Sequence, residues 1–332
     1  MFVDADEHQA RAILRAMADV ARTGGGSLTE VDVATLKGAA RFVFGLPEEL
    51  DPRALPPISA DELVTALGRA DLADHAAQFL AVMAVVDGTV DEEKIGCVLA
   101  DAGTLGVHAD YLRELAEAAR HELQQVAACM RRLNQVSITG RPPTDDYMGW
   151  IMPYRDGHDE PALVGRFTAL ASLPPGTFGR GFADFYRING FAYPGDAAAP
   201  TIDFAVPHDS AHVLSGYSTT PQGELLVSTF TAGMHPEQPV AGHILPVIFS
   251  WHLGIELTRF AGSTTGALQP EKFWAAWSRG AATTIDTFSR HWDFWAAAER
   301  PLDELREEYA VPHLDPRLAA EDTPPAWYHP SP

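Results

Sequence analysis

Cysteine is nearly absent from the 332 residues, at Cys97 and Cys129 only, too few for a disulfide scaffold. Both fall in apparently helical stretches, which fits a reduced cytoplasmic compartment. Basic residues are scarce against acidic ones, 24 to 45, for a formal net charge of -21. Such a field repels phosphate backbones and anionic headgroups, so no nucleic-acid partner is expected and lipid contact must be mostly hydrophobic. No convincing run alternates at period two, which argues against a sheet. The opening MFVDADEHQARAILRAM carries acids where an export signal carries bases ahead of an apolar run. The glycine run GGGS lacks the G-K-[ST] ending of a phosphate loop and reads as a connector. Long uncharged runs are also missing. The longest, QPVAGHILPVIFSWHLGI at 238–255, holds two histidines and two prolines, and reads as a buried helix or the wall of an apolar pocket.

What remains is ordinary for a folded protein: 46% apolar and 21% charged residues, able to bury a sizeable core. The length predicts two domains. The first half reads as short amphipathic helices: 8–22, a second opened by an S-x-x-E capping box at Ser27–Glu30, and a third opened by Ser59–Glu62. An apolar helix then breaks at Asp87–Gly88, an acidic helix start follows, and helical spacing continues over 111–133. Composition changes at 134–160, where prolines, glycines and mixed charge replace helix formers. The organisation expected is all-α: a helical domain at 1–133, a linker at 134–160, a second helical domain at 161–318, and an extended acidic, proline-rich tail at 319–332.

The stretch HDSAHVLSGYSTTPQGE, residues 208–224, carries the chemistry. With Pro207 as an early helical residue and Gly216 as the stop, His208 and His212 lie four apart on one helix face. Thr220–Pro221 starts another helix with Glu224 in its first turn, so a short loop brings this carboxylate back toward His212. Two histidines and a carboxylate suit a divalent metal, zinc or iron. Asp209, about 100° round the helix, is a fourth ligand, an outer partner or a general base. The arrangement is related to H-E-x-x-H without being that motif.

Two families resemble this chain. AVVDGTVDEEK, within roughly 8–133, resembles the TerB-like family, small all-helical domains of bacterial stress and tellurite-resistance proteins. It makes Asp87, Asp91 and Glu93 metal candidates beside the plainer reading as an acidic helix start; Lys94 stands where that family has a glutamate. H-D-x-x-H, eleven residues, then E, matched by His208, Asp209, His212 and Glu224, resembles the signature of the coenzyme Q biosynthesis protein 4 family. LPPGTFGRGFADFYRINGF at 173–191 and PLDELREEYAV at 301–311 are similar to two further family segments, so the resemblance covers roughly 160–318.

The second resemblance implies an all-helical domain, a divalent metal at the motif, and a hydrophobic groove for an isoprenoid tail. It also implies action on a prenylated quinone precursor: oxidative removal of the ring C1 carboxylate, and hydroxylation there. The alternative it carries is a non-enzymatic lipid-binding scaffold for other quinone-biosynthesis proteins, cytoplasmic or peripheral to the inner membrane. Arg180, Tyr186 and Tyr217 are candidates for a polar headgroup. Ile244, Leu245, Val247, Ile248, Phe249, Trp251 and Leu253 are candidates for the tail wall, or for plain core. His243, and the pair His252 and Glu256, read as core or surface hydrogen-bonding groups, and Asp184 and Asp203 as solvent-facing or capping residues. The fused first domain, and a composition heavy in Ala, Gly, Pro and Arg, leave room for a prenylated aromatic other than a ubiquinone precursor.

Overall fold

A computed structural model describes residues 3–47, 50–257, 262–321 and 325. The chain is all-α, with no strand among the described residues. The first helices are α1 (Glu7–Arg22), α2 (Glu30–Gly38), α3 (Ala60–Leu67), α4 (Ala70–Met83), α5 (Glu92–Leu105), α6 (Asp110–Ala119), α7 (Leu123–Thr139) and α8 (Tyr147–Ile151). There follow α9 (Pro161–Ala169), α10 (Phe178–Asn189), α11 (Ile202–Ser215), α12 (Pro221–Met234), α13 (Leu245–Trp251), α14 (Pro270–Ala281), α15 (Phe294–Ala298) and α16 (Leu302–Glu308).

Local sequence sets most of these starts. Ser59 and Glu62 close the expected capping box of α3, each side chain bonding the other's backbone amide at 2.9–3.2 Å. The box of α2 is Thr29–Asp32, not Ser27–Glu30. Asp32 is buried and accepts from Thr29 at both N (2.8 Å) and Oγ1 (2.7 Å), while Glu30 turns outward to Arg53. The expected continuous pattern over 111–133 divides into α6 and α7, with His121 in the left-handed region at φ 59°.

The composition change at residue 134 falls inside α7. Its polar residues are helical and inward-facing: Gln135 and Ser137 are buried, and Gln135 Oε1 accepts from Thr144 N at 3.0 Å. One apolar cluster runs from Val3 to Ala319. Its central crossing is α12 on α14, where Gly233 and Gly280 let two backbones touch; a Cβ on either would run into the facing helix at Trp277 O or Phe230 O. From the same α14, Trp274 is 1% exposed and packs its ring 5.1 Å from Phe79 of α4. A buried tryptophan of this kind contributes several kcal/mol, on the order of 200 Å² at about 25 cal/mol per Å². The stretch 238–255 forms a π-helical turn, Pro239–Ile244, and then α13, both mostly buried. No helix among the described residues is long and apolar enough to cross a membrane. Of the expected tail, residues 322–324 and 326–332 lie outside the described residues. Just before them Ala319 is buried, and Glu321 accepts from Ser218 Oγ at 2.8 Å.

Candidate functional site

The site is built where α11 turns into α12. α11 begins after Thr201, five residues earlier than Pro207 suggested, so this proline sits inside the helix and removes one rung of its ladder. Gly216, at φ 84°, ends the helix as expected. Thr220 caps α12, its Oγ1 accepting from Gly223 N at 3.2 Å, and Pro221 opens the first turn that carries Glu224.

His208 and His212 stand one turn apart with ring centroids 4.9 Å from each other and planes near perpendicular. Phe204 stacks on His208 at 4.9 Å and Phe185 on His212 at 5.2 Å, which fixes both rings. Glu224 reaches back as the sequence suggested: Oε2 lies 3.3 Å from His208 Nε2, and Oε1 lies 3.6 Å from His212 Nε2. The three donor atoms all fall within 4.8 Å of one another, and this is the one such group among the described residues. His212 Nδ1 is 2.9 Å from the carbonyl of Tyr217, which can only accept, so Nδ1 carries the proton and Nε2 offers its lone pair to Glu224's side.

The donor set fits a divalent ion. Two ligands on bonds of about 2.1 Å at a tetrahedral angle are about 3.4 Å apart, close to both histidine–glutamate separations. Without an ion the same atoms make a strong pair. Burial acts to raise the Glu224 pKa, but His212 and His208 outweigh it and hold this carboxyl well below its usual range. Burial acts to lower that of His212, and Glu224 outweighs it, so the His212 pKa rises.

Asp209 stands outside the group of three. Its Oδ2 accepts from Tyr186 Oη at 2.5 Å, which turns this carboxylate toward α10 and away from a metal-ligand role. Burial raises the Asp209 pKa, with His208 and His212 opposing. Burial, and then Asp209, push the Tyr186 phenol well up.

A cavity of about 470 Å³ opens on His208, Asp209 and Glu224. Its apolar wall includes Met130 of α7, Ile151 of α8, Phe204 of α11, and Val247 and Trp251 of α13. Arg131, Asn134, Ser228 and His243 add polar groups.

No family model, no curated protein and no solved structure matches this chain.

Of the residues expected to meet a ligand, Tyr186, Val247 and Trp251 line the cavity. Arg180 does not; it is paired with Asp184 at 3.1 Å on the outer side of α10. Tyr217 is fully buried under the Arg279 guanidinium, 5.1 Å from its ring centre, and serves the site through its backbone carbonyl. Phe249, like Ile244, Leu245 and Ile248, is fully buried in the core, because α13 turns that face inward. His252 is a core hydrogen-bonding group, Nε2 to Val86 O at 2.9 Å, while Glu256 and Asp203 are exposed. In the first half, Asp87 is held by Lys94 Nζ at 2.5 Å, Asp91 caps α5, and Glu93 is exposed, which is the helix-start reading of those acids. Arg131, Met130 and His243 were missed as lining residues. The helical spacing of 130, 131 and 134 was visible, but not which face met α11 and α13.

Proposed function

We propose that this protein is a divalent-metal enzyme acting on an amphipathic aromatic molecule with an apolar tail, such as a prenylated quinone precursor. The observation that carries the reading is the convergence of His208, His212 and Glu224 on one face of a mostly apolar cavity. The resemblance of H-D-x-x-H and the later glutamate to the coenzyme Q biosynthesis protein 4 family supports the same substrate class. The reaction that resemblance favours is oxidative removal of a ring carboxylate as CO2 with hydroxylation at that carbon, the new oxygen coming from dioxygen and its second oxygen leaving as water with two electrons and two protons from an external donor.

His208 Nε2, His212 Nε2 and one Glu224 oxygen would hold the ion, zinc or iron, which supplies Lewis-acid polarisation of a ligand oxygen when bound. The chain's own residues do the rest. Tyr186 holds the Asp209 carboxylate in place, so that one of its oxygens remains to take a proton beside the ligand head. Arg131, the single arginine lining the cavity among the described residues, offers a cation for a carboxylate; Nη1 is fixed to Leu257 O at 2.8 Å, leaving the rest of the guanidinium fork. The wall of Met130, Ile151, Val247 and Trp251 takes an apolar tail and keeps water from the reacting ring. A volume near 470 Å³ is in the range of small-molecule sites, roughly 300–1,000 Å³.

Elemental mass spectrometry of the full chain and of His208→Ala, purified identically without chelators, tests the reading. Near-stoichiometric metal in the parent and its loss in the variant are expected. Equal, trace metal in both would overturn it.

A further inference from the structure

A second polar corner of the cavity has no task in that reading. The π-helical turn Pro239–Ile244 presents His243 there, and α7 supplies Ser137 behind it. The two meet closely because residue 242 is glycine; a Cβ at that position would lie 2.5 Å from Ser137 Cβ.

The hydrogen bonds fix the protons. Ser137 Oγ donates to the carbonyl of Glu237 at 2.6 Å. A hydroxyl has one proton to give, so at its other contact, 2.9 Å away, Ser137 Oγ must accept from His243 Nε2. The proton of a neutral His243 is thereby on Nε2, and Nδ1 is a bare lone pair to which no described residue donates. Behind them, His235 faces two acceptors, Ser137 O at 3.0 Å and Asp286 Oδ2 at 2.7 Å. Its ring centre is 5.4 Å from that of His243. Burial first, and then His235 and His208, push the His243 pKa well below its usual value, so this ring stays neutral.

We propose that His243 is a ligand-contacting residue whose Nδ1 accepts a hydrogen bond from a hydroxyl on the aromatic head of the cavity's ligand. The ligand class this selects is a phenol or ring alcohol, in preference to the matching ether. The inference rests on the reading of the cavity as the site for an amphipathic aromatic molecule, and needs no metal.

The test is equilibrium binding of two probes, 4-geranylphenol and its methyl ether, to the full chain, to His243→Phe, to Ser137→Ala and to His208→Ala. The parent is expected to favour the phenol about fivefold, the value of one ordinary hydrogen bond. His243→Phe, which keeps a ring in place, should bind the two probes alike. Ser137→Ala should narrow the preference, because the Nε2 proton loses its acceptor, and it stands in if His243→Phe fails to fold. Equal binding of the probes by the parent, an undiminished preference in the folded His243 variant, or no binding of either probe would overturn the proposal. His208→Ala separates the two readings. If it keeps as much metal as the parent while the phenol preference still depends on His243, the metal assignment fails and the His243 assignment stands.

Discussion

Tyr186 Oη donates to Asp209 Oδ2 across 2.5 Å, joining α10 to α11 beside the candidate metal ligands. Both residues are buried, with their side chains on the lining of the cavity. Tyr186→Phe should leave a buried carboxylate short of a donor and lower stability by about 1–3 kcal/mol, measured by urea denaturation. A variant as stable as the parent would show that this contact is unimportant to the fold.

Glu224 supplies the only carboxylate of the donor group. Glu224→Gln removes its charge and keeps its shape. Metal affinity should fall by at least the roughly 100-fold that outer-partner changes reach. Competition against a chromogenic chelator reads this directly, and an unchanged affinity would place the metal elsewhere.

Glu114 of α6 is fully buried, and among the described residues neither carboxylate oxygen has a partner in full hydrogen-bonding geometry. Burial, only partly opposed by Cys129 and Arg113, raises its pKa from 4.5 to about 8. A raised folded-state value means that the folded chain holds the proton the unfolded chain releases. The contribution to stability is therefore full below about 4.5 and is lost as pH rises through about 8. Between pH 5 and pH 8 the parent should lose stability relative to Glu114→Gln, which lacks the proton. Parallel pH dependence of the two melting curves would refute the assignment.

Gly280 and Gly233 let α12 and α14 touch backbone to backbone. Gly280→Ala should force the helices apart and cost about 3 kcal/mol or more, visible as a lowered melting temperature. Because α12 also carries Glu224, metal affinity should fall with it in whatever fraction remains folded. A melting temperature within a degree of the parent's would contradict the packing described.

The legible parts of the molecule were those decided within one or two helical turns. The pair His208 and His212, the stop at Gly216, and the start at Thr220–Pro221 with Glu224 in the first turn are all set by neighbours in the chain. Capping boxes were readable too, although where two overlapped the burial of Asp32 selected Thr29–Asp32 over Ser27–Glu30. What failed depended on tertiary facing. Arg180, Tyr217 and Phe249 have suitable chemistry, but their helices and loops turn them to Asp184, to Arg279 and to the core. His243 gains its open Nδ1 only from Ser137, 106 residues away, a relationship no local spacing encodes.

The path of α7 across residue 133 bears on how such a protein could diversify. Met130 and Arg131, on one side of that point, form part of the wall, while His208, His212 and Glu224 lie far beyond it in the chain. A recombination event joining a new first segment there would exchange Met130 and the Arg131 cation and leave the donor atoms and the rest of the wall untouched. The cation of the cavity and its metal-ligating atoms thus sit in different stretches of the chain, while His243 and most of the wall travel with the donor atoms.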